Sequence, residues 1–226
     1  MLKPENIRSE ALFFYTVDCS IFVGLKTALE IKCGTWYHRY ITVVLRRAIS
    51  VLRPMENGEF GAVYRIMEKS FPDDERRSEK EQRALLEEDG YTVYILPDTN
   101  GSVKGFIAVW QFENFGYIEH FAVDEKYRCM GLGGVMLGEA VKKLCGMVCL
   151  EVEPPCGGMT SRRVGFYERC GFVLNDYPYI QPAFSPDKKA IPLKIMTYGC
   201  AVDESEFEKI KNTLYKRVYK AAKTSR

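Results

Sequence analysis

The sequence predicts an α+β fold in which a mixed, mostly antiparallel β-sheet is flanked by helices. Two observations lead to this prediction. Three runs rich in β-branched and aromatic residues, at 91–96, 103–112 and 117–123, are separated by the turn sequences PDTNGS and ENFG, which indicates antiparallel strands joined by hairpins. From residue 132 onward, helical and strand-like patterns alternate, which adds further strands to the sheet and helices against it.

The segment before the three strands is predicted to contain one short strand and two helices. Residues 50–53 can form the strand. A helix follows, because five apolar residues recur at three- and four-residue spacing and Pro72 ends the pattern: Phe60, Val63, Tyr64, Met67 and Phe71. The charged stretch 72–90 is rich in helix-forming residues and ends at Gly90, so it is predicted to be a solvent-exposed helix with Leu85 and Leu86 turned inward.

The second half of the chain is predicted to alternate between helices and strands. Helices are expected at 132–144 and 161–169, and strands at 148–152, 172–174 and 193–198. The segment 177–192 is expected to be a loop, because Pro182, Pro186 and Pro192 cannot donate backbone hydrogen bonds to a sheet. Residues 204–222 have the pattern of a charged amphipathic helix.

Composition excludes several classes of protein. A chain of 226 residues with a net charge of +2 has no strong positive field to attract nucleic acid. The eight cysteines do not form the paired C-x-x-C blocks of a zinc site, so no metal is expected. The apolar run 11–25 contains Asp18 and is shorter than the roughly 20 residues of a membrane span. A cytoplasmic protein with reduced cysteines is therefore expected.

One short segment has the composition of an anion-binding loop. After the strand that ends at Val123, the sequence RCMGLGG at 128–134 opens a helix. Glycines let a ligand approach the backbone, and the first turn of a helix presents N–H groups without intrahelical partners. Such a loop suits a pyrophosphate. Taken alone, the same pattern fits a glycine-rich turn that packs closely on the sheet equally well.

The context of this loop distinguishes the two interpretations. The pattern R-x-x-G-x-G after a strand ending in Ala-Val, followed one strand and one helix later by GFYERCGF, resembles the GNAT superfamily of acyl-CoA dependent N-acetyltransferases. The resemblance covers about two thirds of the chain. It implies a sheet that is splayed at an acetyl-CoA site, and transfer of an acetyl group from acetyl-CoA to a primary amine by direct attack in a ternary complex. The alternative is a non-catalytic module that binds or senses acyl-CoA.

The resemblance also assigns residues to the coenzyme. The implied contacts are Phe121, Ala122, Val123, Arg128, Cys129, Met130, Gly131, Leu132, Gly133, Gly134, Thr160 and Tyr167. Tyr167 matches the family tyrosine that approaches the coenzyme sulfur, where it would protonate the leaving thiolate. Thr160 departs from the pattern, because many family members have an asparagine seven residues before that tyrosine.

The base that removes the proton from the amine is predicted to be Glu119. Regular strand alternation places Glu119 on one face with Tyr117, Phe121 and Val123, and partial burial there would have to raise its pKa. Glu153 is the alternative base. Glu151 is expected to fix local structure, and His120 to be a core or surface histidine.

These assignments divide the chain into three parts. Residues 1–48 form an N-terminal extension of unknown role, residues 49–202 the N-acetyltransferase domain, and residues 203–226 a charged C-terminal helix. The expected partner is an amine acceptor, either a small molecule or a protein amine. Neither nucleic acid nor a membrane is expected as a partner, and association into a homodimer is left open.

Overall fold

The sheet is the centre of the fold, and its strands follow each other in an order close to that of the sequence. The structure, a computed structural model, describes residues 51–221. Its strands are β1 (Arg53–Pro54), β2 (Tyr91–Pro97), β3 (Val103–Gln111), β4 (Phe115–Val123), β5 (Met147–Val152), β6 (Phe172–Leu174), β7 (Tyr179–Gln181) and β8 (Ile191–Tyr198). They are ordered β1-β2-β3-β4-β5-β8-β6, and β7 pairs with β8. All pairs are antiparallel except β4 and β5, so the predicted fold class is confirmed.

Five α-helices accompany the sheet in the described residues. They are α1 (Phe60–Ser70), α2 (Glu79–Ala84), α3 (Leu132–Lys143), α4 (Gly158–Arg169) and α5 (Glu204–Thr213), and α5 continues as a π-helix at Leu214–Val218. The described helices include none that is long and apolar enough to cross a bilayer. The expectations for residues 1–50, including the apolar run 11–25, and for 222–226 lie outside the described residues.

Two hydrophobic cores form, one on each face of the sheet. On one face, Phe60 and Val63 of α1 and Phe207 and Ile210 of α5 pack against side chains that include Trp110. On the other face, α3 and α4 contribute four core residues: Met136, Leu137, Ala140 and Val164. Alternation along each strand supplies side chains to both cores. The sheet therefore holds helices on both sides.

The prediction of one solvent-exposed helix over 72–90 is wrong. The segment is broken into short pieces: a 3₁₀ turn at Asp73–Glu75, helix α2, and a 3₁₀ turn at Leu85–Glu87. Helix α2 begins after Ser78, whose hydroxyl accepts from the Glu81 N–H while the Glu81 carboxylate accepts from the Ser78 N–H, so a capping box fixes the new start. The break leaves Arg77 in the linker before the cap, where it is buried.

The loop predicted at 177–192 contains a strand. Residues Tyr179–Gln181 form β7, which pairs with the first three residues of β8, so that Ile180 lies opposite Pro192. Proline is tolerated there because a residue at a sheet edge can leave one side of its backbone unpaired. The strand carries Tyr179 to the buried side of the sheet.

A β-bulge in β4 overturns the predicted alternation of its side chains. Ala108 of β3 lies opposite His120, but the next residue, Val109, lies opposite Ile118. Glu119 is therefore the extra residue on β4, and a bulge reverses the faces of the residues beyond it. Tyr117 packs in one core, whereas Phe121 and Val123 pack against the other. These three residues do not share a face, contrary to the prediction.

Candidate active site

The site lies where the only parallel pair of strands in the described sheet separates. β4 and β5 are paired from Phe115–Met147 to Ile118–Leu150, and beyond these residues the two strands diverge. The backbone of β4 after the bulge thus has no partner on the β5 side, as the splayed sheet of the prediction requires. A cavity of about 420 Å³ opens in the gap. Phe121, Ala122 and Val123 line it from β4, and Glu151 and Glu153 line it from β5 and its end.

The glycine loop leads directly into the start of α3. Gly131 is the N-cap residue, with a φ of 75° in the left-handed region that glycine adopts easily. The first intrahelical bond runs from the Val135 N–H to the Gly131 carbonyl, so the N–H groups of Leu132, Gly133 and Gly134 have no intrahelical partner. No atom lies within 4 Å of a Cβ built at Gly131 or Gly134. The loop has both the donors and the open space that a pyrophosphate needs.

The residues before Gly131 are held at the surface beside this helix start. The Arg128 guanidinium donates from Nε to the Val123 carbonyl at 3.1 Å and from Nη2 to the Ser70 hydroxyl at 3.4 Å. Cys129 has a φ of 62°, a strained conformation for a residue with a side chain and one that is concentrated at functional sites. Met130 is 66% exposed, although large apolar side chains are usually more buried.

Tyr167 lines the cavity from helix α4. Its ring packs against Phe166 and Phe172, with centroid distances of 5.3 and 6.0 Å, and its hydroxyl has no hydrogen-bond partner among the described residues. Burial raises the pKa of Tyr167 to about 12, so the phenol stays protonated and available as a donor. The Thr160 hydroxyl donates to the Gly157 carbonyl at 2.9 Å, at the start of the same helix.

Glu119 is locked in a buried ion pair. Its Oε1 accepts from Arg77 Nη1 at 2.5 Å and its Oε2 from Trp110 Nε1 at 2.9 Å, and its side chain is only 1% exposed. Burial acts to raise the pKa of Glu119, but the charges of Arg77 and His120 and these hydrogen bonds bring it below its ordinary value. The expectation that the site raises this pKa is wrong, because the buried Arg77 guanidinium stabilises the charged carboxylate.

The two other residues weighed beside Glu119 also have partners. His120 is buried at the cavity wall, and its Nε2 lies 3.0 Å from the Glu75 carbonyl. A carbonyl only accepts, so Nε2 carries the proton, and burial lowers the pKa of this imidazole. Glu153 pairs with Arg163 at 2.5 Å, so the alternative base also lies against a guanidinium.

Glu151 has a different environment, which sequence reasoning missed. Three tyrosine hydroxyls donate to its carboxylate: Tyr117 at 2.9 Å and Tyr219 at 2.5 Å to Oε2, and Tyr179 to Oε1. Tyr117, Tyr179 and Tyr219 form what we call the tyrosine cluster. Burial outweighs their hydrogen bonds and raises the pKa of Glu151 to about 7. The cluster joins residues 28 to 68 positions away from Glu151, so no local motif announces it.

Comparisons with known proteins identify a family model and solved structures that this chain resembles. The sequence model described as the acetyltransferase (GNAT) family matches residues 60–172. No curated protein sequence matches the chain. Among solved structures, a protein from Bacteroides thetaiotaomicron assigned to the GNAT family of acetyltransferases is 28% identical, with a TM-score of 0.70 over 76% of this chain and 99% of that one.

Two further structures are similar in fold alone. The ribosomal-protein-S18-alanine N-acetyltransferase of Escherichia coli is 22% identical, with a TM-score of 0.51 over 67% of this chain and 94% of its own. A mutant of the spermidine N-acetyltransferase of Vibrio cholerae is 16% identical, with a TM-score of 0.50 over 65% of this chain and 93% of its own.

Proposed function

Since the family match spans half of its residues, the chain belongs to the GNAT acetyltransferase family, and on that premise we propose that it moves an acetyl group from acetyl-CoA to a primary amine by direct attack in a ternary complex. The observation that carries the proposal is the gap between β4 and β5, where one cavity is lined by the unpartnered end of β4, by Arg128 before the glycine loop, and by Tyr167, whose hydroxyl has no hydrogen-bond partner among the described residues.

The coenzyme half of the proposal rests on backbone groups. The N–H groups of residues 131–134 would hold the pyrophosphate at the start of α3, and Arg128 would lie beside it. Phe121, Ala122 and Val123 would contact the pantetheine arm, because the β4 backbone has no strand partner on the β5 side there. Cys129 and Met130 would flank the phosphates, and Thr160 would contact the coenzyme from the start of α4.

Tyr167 is the proposed acid. Direct transfer breaks the bond between the acetyl carbon and sulfur, and the departing thiolate needs a proton. The Tyr167 hydroxyl suits this role because it is protonated, lines the cavity and makes no competing hydrogen bond among the described residues. Glu119 as the base stays a prediction, although its ion pair with Arg77 weakens the case for it.

The acceptor side of the cavity has more carboxylates than cations. Glu75, Glu119, Glu151 and Glu153 line it, against Arg128 and Arg163. Arg163 is paired with Glu153 and the buried Arg77 with Glu119, so Glu75 and Glu151 are the lining carboxylates that form no ion pair among the described residues. This balance of charge favours an acceptor that arrives as an ammonium ion, whether it belongs to a small molecule or to a protein.

A panel assay tests the proposed function. Release of free coenzyme A would be measured with spermidine, an aminoglycoside, a peptide with an N-terminal alanine and a peptide with an internal lysine. Turnover with at least one amine, with the N-acetylated product seen by mass spectrometry, is the expected result. Tight binding of acetyl-CoA by calorimetry without turnover on any amine would instead support the alternative, a module that binds or senses acyl-CoA.

A further inference from the structure

Resting on the proposed acetyl transfer, we propose that Glu151, held by the tyrosine cluster, is the group that receives the proton of the acceptor amine. The carboxylate lies on the wall of the same cavity as Tyr167. Among the described residues it forms no ion pair, whereas Glu119 and Glu153 each bind a guanidinium.

The hydrogen bonds around Glu151 leave room for a substrate. A carboxylate offers about four lone-pair positions, two on each oxygen. Tyr117 and Tyr219 both donate to Oε2, and the two hydroxyls lie 3.3 Å from each other. Oε1 accepts from Tyr179 alone. One position on Oε1 therefore remains for an N–H group of the amine.

The surroundings of Glu151 determine when it can accept a proton. The titratable groups that interact with its charge are Tyr117 and Glu119 on β4, Cys149 on β5, Tyr179 on β7, and Tyr215 and Tyr219 after α5. Of the four tyrosines, Tyr215 alone does not bond the carboxylate, because its hydroxyl donates to the Ile180 carbonyl. Burial raises the pKa of each tyrosine in the cluster well above its ordinary value, so all three remain donors at neutral pH. Only Glu151 in this group changes charge near pH 7.

The proton balance of the reaction is then complete. The ammonium ion gives one proton to Glu151 and becomes a nucleophile. Its nitrogen forms a bond to the acetyl carbon, the bond from that carbon to sulfur breaks, and the sulfur takes the Tyr167 proton. The nitrogen, now bonded to the acetyl carbon, gives its one surplus proton to the Tyr167 phenolate, which restores the hydroxyl. The proton on Glu151 is released to solvent before the next turnover.

The first experiment follows Glu151 without any acceptor. In protein labelled with carbon-13 at the glutamate side-chain carboxyl, one resonance should titrate with a midpoint of about 7 and be absent from the Glu151→Gln variant. If every glutamate resonance titrates near the ordinary value of about 4.3, the proposal is overturned.

The second experiment uses the amine of the panel with the highest kcat/KM. For the wild-type protein kcat/KM should rise with pH through about 7, because deprotonated Glu151 is the active form. Glu151→Gln should lower kcat/KM by about 10²- to 10⁴-fold and leave only the rise of the free amine, which has its midpoint near 10. An active wild type whose profile is unchanged by Glu151→Gln would refute this role and leave the proposed function standing, whereas a wild type without turnover would refute the proposed function itself.

A variant of the cluster tests the same idea if Glu151→Gln does not fold. Tyr219→Phe removes one donor that favours the charged carboxylate, so the rise of kcat/KM should move to higher pH by about half to one unit. Tyr215→Phe is the matched control, because that hydroxyl lies in the same segment but donates to the Ile180 carbonyl; its profile should match the wild type. Identical profiles for Tyr219→Phe and Tyr215→Phe would overturn the proposal.

Discussion

Arg77 connects the acceptor side of the site to the end of the chain. Its Nη1 binds Glu119, its Nη2 donates to the Val218 carbonyl at 2.8 Å, and its guanidinium lies 4.3 Å from the centre of the Phe184 ring. Its side chain is 8% exposed. A charge with so little access to water depends on its partner for stability.

Removing one partner of this pair should destabilise the protein strongly. Glu119→Gln leaves the Arg77 charge without a counterion, and breaking a buried pair costs about 3–5 kcal/mol. The free energy of unfolding, measured in urea, should fall by about that amount. Lys209→Gln serves as the control, because its pair with Glu206 is exposed and should contribute less than about 1 kcal/mol. Equal losses in the two variants would contradict a structural role for the buried pair.

The hydroxyl of Tyr167 should matter for turnover and little for binding. Tyr167→Phe keeps the ring packed against Phe166 and Phe172 and removes only the proton donor. Turnover should fall by about 10²- to 10⁴-fold, while the dissociation constant of acetyl-CoA from calorimetry stays nearly the same. Full activity in this variant would exclude Tyr167 as the acid.

Glu151 should also make stability depend on pH. Its pKa in the folded protein is about 7, above the ordinary 4.5, so between these pH values the folded protein keeps a proton that the unfolded chain releases. The free energy of unfolding therefore falls as pH rises through this window. Glu151→Gln removes this pH dependence. The free energy of unfolding of the variant, relative to that of the wild type, should therefore rise by up to about 3 kcal/mol between pH 4.5 and pH 8. Urea unfolding at both pH values checks this, and a constant difference would contradict the raised pKa.

At the scale of elements, the start of helix α3 holds the proposed coenzyme cradle. A Cβ at Gly133 lies 3.4 Å from Phe166 and 3.6 Å from Phe121, so the protein itself leaves little space there. Gly133→Val should weaken acetyl-CoA binding by about 10²-fold or more in calorimetry, because charge-assisted bonds to the pyrophosphate are lost. Gly131→Val should do the same, since its φ of 75° disfavours a branched side chain.

Gly138→Val is the matched control for these variants. Gly138 lies on the same helix with no atom within 4 Å of an added Cβ, so its substitution changes helix propensity without approaching the loop. Its affinity for acetyl-CoA should equal that of the wild type. An unchanged affinity in Gly133→Val would show that the coenzyme phosphates bind elsewhere.

Elements set by local chemistry could be predicted from the sequence. The three strands 91–97, 103–111 and 115–123 and the two hairpins that join them follow from turn residues and alternating patterns, and the glycine loop follows from its composition. The bulge at Glu119 could not be predicted, because FGYIEHFAV contains no residue that marks one. The helix start at Ser78 can be predicted from the sequence, since Ser78 and Glu81 match the S-x-x-E signature of a capping box. The long run of helix-forming residues around it favours one continuous helix instead.

At the scale of the whole molecule, the acetyltransferase pattern begins after the first 48 residues. The described chain forms its own sheet and two cores, and the proposed coenzyme contacts all lie within 121–167. A protein that starts near Ala48 should therefore stay folded and keep its affinity for acetyl-CoA, with lower solubility or an altered oligomeric state. Circular dichroism, calorimetry and size-exclusion chromatography check this prediction. A soluble, folded protein that no longer binds acetyl-CoA would place part of the site in residues 1–48.

The two halves of the site differ in how far apart along the chain their contacts lie, and this difference has a kinetic consequence. The proposed coenzyme half is built from β4, α3 and α4, and its contacts all lie within residues 121–167. The amine half needs contacts across 68 residues between Glu151 and Tyr219, 102 between Tyr117 and Tyr219, and 141 between Arg77 and Val218. Closing long loops costs entropy before contacts repay it, so non-local structure forms slowly. During refolding we therefore expect acetyl-CoA binding to return before turnover, because the chain assembles its donor site first and its acceptor site last.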